Sequence, residues 1–313
     1  RTVCYLVGKI LQVEALLLLL PLFVSLIYRE SLHQFLSYAG TIALLVVIGT
    51  VCTLAKPKNM KIMPRDGIVT VALSWILLSF FGGLPFVFVG EIPNLADAFF
   101  ETASGFTTTG SSILSDLSIL GYSSLFWRSF THLVGGMGVL VFALAILPST
   151  GSDSVQLMRA EVPGPVFGKL VSKLAKTARI LYAIYLVMTA ILVIILMLVK
   201  VPLFDALLLS FGTAGTGGFS INNAGFAIYQ NPEMVEWIIG VGMMLFGVNF
   251  NLYYFLLLGS IREVLTDEEG RSYIGIIAFA SVAIFASLSI VQSQLDVPFR
   301  SVFFTVSSII TTT

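Results

Sequence analysis

The sequence predicts an all-α polytopic membrane protein: two leading transmembrane helices, then repeated units of spanning helix, short re-entrant helix, glycine loop and spanning helix. Three observations predict it. Charged residues make up 11% of the chain and mean hydropathy is +0.97, whereas soluble domains carry about 25% charged residues, so most of the surface faces lipid. Apolar stretches long enough to cross a bilayer, about 20 residues, recur along the chain. A short motif also repeats: SGFTTTGSS at 104–112 returns as AGTGGFS at 214–220, each after a short apolar segment that starts from an aspartate, Asp97 or Asp205. Aligning the aspartates brings Gly110 and Gly218 into register. A third copy, VPFRSVFFTVSSIITTT, has Ser301 in the aspartate's place and sets Thr311, Thr312 and Thr313 against Thr107, Thr108 and Thr109. Internal repetition of this kind governs a fold assignment.

The spans are expected at about 10–27, 35–54, 68–89, 124–147, 180–199, 235–258 and 274–291. This divides the chain into two leading helices (1–65), a first unit (66–150), a basic loop (151–177), a second unit (178–265) and an incomplete third (266–313). Each short segment is about 9 residues, or roughly 14 Å of helix at 1.5 Å per residue. That is too short to cross, so the segment is re-entrant. The backbone after it survives at membrane depth only where it is buried in protein or lines water. Lys56, Lys58, Lys61 and Arg65 follow the second span, Arg159, Lys169, Lys173, Lys176 and Arg179 follow the fourth, and Arg1 and Lys9 precede the first. An even number of crossings separates these places. The positive-inside rule makes that side cytoplasmic, with the N-terminus, and leaves the TTTG and GTGG loops outside. Asp267, Glu268 and Glu269 dissent only weakly, because acids count little in that rule. The chain starts at Arg1 and ends within the third motif; it is read as a fragment, without a cleavable leader, and is expected to be inactive as it stands.

A short helix followed by a Thr/Gly strand offers backbone carbonyls to a dehydrated cation. Threonine adds hydroxyl acceptors without charge, and glycine supplies φ > 0 where carbonyls must keep one direction. The helix C-termini add partial negative charge. No fixed anion is needed, which favours a monovalent cation over Ca²⁺ with its carboxylate cages.

On these residues the chain resembles the Trk/Ktr/HKT superfamily of potassium transporters. WRSFTHLVGGMGVLVFALAILP at 127–148, RAEVPGP at 159–165 and the two leading spans resemble the TrkH/TrkG branch in particular. The resemblance covers essentially all of the chain. It implies four pore units around one pore, of which the inner span of the third and the whole fourth are absent here. It also implies that the short helices are pore helices and the loops a selectivity filter. The filter set would be Thr107, Thr108, Thr109 and Gly110, then Gly215, Thr216, Gly217 and Gly218, then Thr311, Thr312 and Thr313. K⁺ would be the transported ion, with no cofactor bound. In the plant branch serine at the first filter glycine goes with Na⁺ transport, so Gly110 favours K⁺. The resemblance further implies a bacterial inner membrane, a homodimer and a cytosolic NAD- and ATP-binding ring of the TrkA type.

Each residue also has a plainer reading. Gly135, Gly136 and Gly138 are expected to let helices approach closely rather than to hinge. Asn249 and Asn251 interrupt the sixth span and divide evenly between pore function and interhelical glue. Arg128 and His132, in the fourth span, are expected to face the protein interior, with His132 a packing residue rather than a proton relay. Glu14 is placed near the inner end of the first span, free to snorkel, without a role. Asp97 and Asp205 sit at the starts of the short helices, where an acid suits the N-terminal dipole; they are expected to cap, with cation attraction at a vestibule as a further role. Lys169, Lys173 and Lys176 are solvated positive charge that also suits docking of a soluble regulator. Cys4 and Cys52 are free thiols. Net charge of +0 gives no nucleic-acid footprint. Two histidines, with no HExxH and no carboxylate pair inside a span, argue against an intramembrane enzyme. The rival functions are a Na⁺- or H⁺-coupled K⁺ symporter of the Ktr type and a non-conducting structural subunit.

Overall fold

A computed structural model describes residues 1–54, 56–57, 64–136, 138, 171–291 and 297–313, with side chains at 64, 171–178 and 291 left aside. The described residues form helices and connecting turns in two compact units, Arg1–Arg179 and Ile180–Thr313.

In the first unit α1 (Thr2–Leu17) and α2 (Leu19–Ile27) are one apolar crossing with a break at Leu18. Pro21 explains the break: it has no N–H to bond the carbonyl four residues earlier, in the last turn of α1. The crossing begins at Thr2, earlier than the sequence suggests. Glu14 therefore lies mid-span rather than near an end, and it is fully buried. The antiparallel α3 (Leu32–Leu54) crosses α1 on glycine: a Cβ at Gly8 would lie 2.8 Å from the Gly49 carbonyl, and one at Gly49 2.9 Å from the Gly8 carbonyl. Small residues at such a crossing are how membrane helices gain contact without a hydrophobic driving force. Cys4 and Cys52 meet at the same end as free thiols.

Helix α4 (Pro64–Val89) stops at Gly90, whose φ of +87° suits the left-handed residue that closes a helix. After a tight turn α5 (Leu95–Phe106) re-enters. The Gly82–Gly83 pair lets α5 lie on α4: a Cβ at Gly83 would sit 2.9 Å from the Ala98 carbonyl, and one at Gly82 2.8 Å from Thr102 Cγ2. Helix α6 (Tyr122–Gly136) follows the first loop. Its Trp127 donates to the Gly82 carbonyl at 2.8 Å and meets Phe106 edge-on. At the outer ends Gln34 donates to Glu91, Ser123 and Ser124, and the Gly121 N–H donates to Glu91 at 2.7 Å. Burial pushes the Glu91 carboxyl above its ordinary value against the pull of those donors.

Where the sequence suggests a fourth span over 124–147, α6 ends at Gly136 and Gly138 turns left-handed at φ +74°; residues 139–147 lie outside the described residues. Gly135 has the expected packing role. A Cβ there would overlap the Phe106 carbonyl, at the end of α5.

The second unit holds the crossing that continues α7 (Val171–Leu198), then α8 (Leu203–Ala214), α9 (Pro232–Phe246), α10 (Phe250–Leu257), α11 (Ile261–Thr266), α12 (Glu268–Val291) and α13 (Phe299–Ile310). The expected sixth span, read as continuous over 235–258, is broken: α9 and α10 meet at 84°. Asn249 accounts for the break, because its side-chain oxygen accepts the Asn251 N–H at 3.1 Å and caps a new helix. Its amide also donates to Glu269 at 3.1 Å. Among the described residues five helices are long and apolar enough to cross, six if the bent pair is one span.

Candidate functional site

The short helices α5, α8 and α13 have equal length and fall in register, so Thr107, Gly215 and Thr311 are their C-caps. Each is followed by a left-handed threonine: Thr108 at φ +54°, Thr216 at +53° and Thr312 at +60°. The sequence reading reserved φ > 0 for glycine; Gly110 and Gly218 do adopt it, at +75° and +74°, but one residue of each TTT or GTG is also left-handed. For a β-branched residue this conformation is a genuine outlier. It costs roughly 1–3 kcal/mol, and such strain concentrates at functional sites.

One hydrogen-bond pattern enforces the turn three times. The N–H of the first loop residue bonds four residues back: Thr107 to Ala103, Gly215 to Phe211, Thr311 to Ser307. The second bonds three back, to Gly105, Thr213 and Ile309. The third bonds five back: Thr109 to Ser104, Gly217 to Gly212, and Thr313 to Ser308, each at 2.9 Å. The loop amides thus satisfy the helix carbonyls that a C-terminus leaves over. Among the described residues, the carbonyls of Thr108, Thr109, Gly110, Thr216, Gly217 and Gly218 accept no hydrogen bond. A backbone that donates inward and leaves its carbonyls free can coordinate a cation without a charged side chain.

The hydroxyls of the first and third loops bond each other, Thr107 to Thr109 at 2.8 Å and Thr311 to Thr313 at 2.7 Å, and the first of each pair also donates to the carbonyl four residues back. The second loop has glycine at both positions. Within the second unit loops two and three touch: a Cβ at Gly218 would fall 2.6 Å from the Thr313 carbonyl carbon.

Asp97 and Asp205 lie in the first turns of α5 and α8, as expected for the helix dipole. Neither aspartate caps its helix, and α8 and α13 have no side-chain cap. Asn94 accepts the Ala96 N–H at 2.9 Å, while α8 and α13 start from Pro202 and Pro298. Asp205 instead accepts the Tyr229 hydroxyl at 3.1 Å. Asn249 is tied to the helix break and Glu269 rather than to a loop carbonyl. Lys169, with the whole of RAEVPGP, lies outside the described residues; Lys173 and Lys176 fall on α7, with their side chains outside them.

The sequence reading missed Glu101. In the middle of α5 it is buried and bonded to Arg128 Nε at 2.6 Å, with both partners almost inaccessible. It also accepts from the Ser112 hydroxyl at 2.9 Å and the Ile113 N–H at 3.0 Å. One carboxylate therefore joins the short helix, the segment leaving the first loop and α6. The available signal was an acid inside DAFFETA and an arginine inside a span, two charges that need each other in lipid. A related tie binds α13 to α9, where Arg300 reaches Glu236 at 2.5 Å and Glu233 at 3.0 Å.

The family model described as "TrkH: Cation transport protein" matches residues 35–305. A Trk system potassium uptake protein TrkH from Salmonella typhimurium is 36% identical over 281 residues, which are 88% of this chain and 57% of that protein. TrkG from Escherichia coli K12 is 31% identical, across 99% of this chain and 64% of its own length. The crystal structure of the potassium transporter TrkH from Vibrio parahaemolyticus superposes with a TM-score of 0.82 at 29% identity, covering 99% of this chain and 64% of that one. The chain thus spans less than two thirds of the length of these relatives.

The Glu101–Arg128 tie carries a stability prediction. Arg128→Met leaves the Glu101 carboxylate buried without its cation and is expected to cost about 3–5 kcal/mol. Adding Glu101→Gln should recover part of that loss, since a neutral amide no longer requires the guanidinium. Thermal unfolding in detergent, followed by tryptophan fluorescence, measures both. A double variant less stable than Arg128→Met alone would refute the pairing.

Proposed function

The chain belongs to the TrkH family of cation transport proteins, and from that premise we propose that it forms part of a Trk-type potassium uptake system, passing K⁺ along a channel-like path. The observation that carries this reading is the threefold turn, helix, left-handed threonine and inward amides, in register after α5, α8 and α13, with free carbonyls in the first and second loops. In each loop the free carbonyls, Thr108, Thr109 and Gly110 in the first and Thr216, Gly217 and Gly218 in the second, with Thr312 of the third, replace part of the hydration shell of K⁺; Thr313 accepts the Ser308 hydroxyl instead. The names of the relatives support K⁺ as the ion. Asp97 and Asp205 sit at the outer starts of the pore helices and raise the local cation concentration. The division into two leading helices, pore units and a basic loop follows the same reading, as does a multi-pass inner-membrane protein with a cytoplasmic N-terminus.

The test is flux into sealed liposomes of the protein expressed from its complete reading frame. Rb⁺ and Na⁺ entry are compared under an imposed potential with no other gradient. Potential-driven Rb⁺ entry that outruns Na⁺ is expected. Entry only when a Na⁺ or proton gradient is supplied would replace the channel-like path with coupled symport.

Gly218→Ser examines the filter. The new Cβ would meet the Thr313 backbone, at a φ that serine rarely adopts, so the loop must shift while the span beneath is untouched. The K⁺/Na⁺ flux ratio should fall with little loss of expressed protein. An unchanged ratio would remove Gly218 from the filter.

The proposed homodimer and TrkA-type ring place a soluble regulator on the cytoplasmic face, where Lys169, Lys173 and Lys176 supply positive charge. Replacing all three by glutamine should weaken recovery of that ring in a pull-down at low salt. Equal recovery from both proteins would eliminate this docking surface.

A further inference from the structure

Glu14 has no place in the ion path described above, yet its surroundings are unusual. It lies half-way along a 26-residue crossing and is 0% exposed, and neither carboxyl oxygen has a hydrogen-bond partner among the described residues. Its Oε1 is 3.2 Å from the position of a Cβ on Gly82, a point also 2.8 Å from Thr102 Cγ2 and 3.1 Å from Phe106 Cε2. The carboxyl therefore sits where the glycine pair of α4 receives the last two turns of pore helix α5. Phe106, which forms one wall, is the residue directly before the first filter loop.

The ionisable groups on the elements around it are engaged elsewhere or lie at the surface. On α1, Lys9 bonds Gln12 and Cys4 meets Cys52 of α3, and Tyr5 faces Lys9. On α3, Tyr38 bonds Ser124 and His33 is exposed. On α4, Arg65 and Asp66 occupy the first turn, at the membrane edge. On α5, Glu101 holds Arg128 and Asp97 is in the first turn. Helix α2 carries no ionisable side chain. An ionised carboxylate without a partner in such surroundings is far less favourable than the neutral acid, so the group takes up a proton instead.

We propose that Glu14 is a proton-binding site, occupied at neutral pH, whose occupancy is linked to the seating of the first pore helix. The neutral acid packs against Gly82, Thr102 and Phe106. Loss of the proton forces the carboxylate to recruit water or a cation into that seat, and so displaces the helix end that carries Thr107 to Gly110. By linkage, anything that favours the seated helix also favours the proton. The functional half of this proposal rests on the filter reading above; the proton site itself does not.

Infrared difference spectroscopy on the protein from its complete reading frame, in lipid, separates the two halves. Wild type minus Glu14→Gln should show the carbonyl stretch of one protonated acid at pH 7. Glu14→Asp, which keeps the acid, should retain that band at a shifted frequency, and size-exclusion profiles confirm that all three proteins are folded. A carboxylate stretch at pH 7 in place of the acid band would overturn the proton site, whether or not the protein transports K⁺. For the linkage, Rb⁺ uptake by wild type should decline on the alkaline side of the Glu14 titration, and the decline should be lost in Glu14→Gln. Identical pH profiles in the two proteins, with the acid band present, would overturn the linkage and leave the proton site standing.

Discussion

A backbone that enters a bilayer and turns back half-way must satisfy its own polar groups, because hydrocarbon offers no partners. In this chain a short helix and a left-handed threonine meet that constraint. The helix consumes its internal amides and carbonyls, and the threonine turns the next amide back toward the carbonyls that the helix end leaves over. The result recurs at Thr107, Gly215 and Thr311 with bonds to the same relative positions. Everything around the loops serves to hold this turn. Gly82 and Gly83 let α5 approach α4, Gly135 lets α6 reach the Phe106 carbonyl, and Gly218 leaves room for Thr313.

A helix of twelve residues has little burial of its own to fix its angle, so each unit adds ties. In the first unit the Glu101–Arg128 pair joins α5, the segment leaving the first loop and α6 in the dry interior, at 1% and 3% exposure. In the second, Arg300 performs a related task for α13 from a wetter position, with Glu233 largely in solvent. The energetic consequences differ. A buried pair is costly to break from one side only, whereas an exposed partner such as Glu233 contributes little through charge alone.

The repeat, five of the seven expected crossings and the re-entrant segments were legible in the sequence because each rests on composition or period. Charge is scarce, apolar runs have membrane length, and two aspartates and two glycines keep register. The family followed from motifs as well. What stayed hidden depends on tertiary partners. The break after Phe246 was invisible because Gly247 and Asn249 are both tolerated in a straight membrane helix; the amide's bond to the Asn251 N–H decides the outcome. Glu14 read as a residue near a span end because the polar start of α1, with Lys9 and Gln12, masks the true helix start at Thr2. Glu101 was overlooked for a similar reason: an acid within a short apolar stretch gains meaning only once Arg128 faces it.

The left-handed position in each loop is threonine, although glycine would adopt it at no steric cost. Glycine would also widen the unfolded and loop ensembles, and on the proposed filter reading a cation arriving at a loose loop would have to order it at the expense of affinity. Threonine reverses that balance. Its stiff χ1 narrows the alternatives, and in the first and third loops hydroxyl pairs brace the turn from either side of the strained residue. The strain is met by the loop's own hydrogen bonds to the helix end. Under the proposed filter reading, the free carbonyls of the first two loops are in place before an ion sheds its water, which is the condition for stabilising a charge without reorganisation at the moment of transfer. The second loop, with glycine on both sides of Thr216, lacks those braces and depends instead on contact with its neighbour at Thr313.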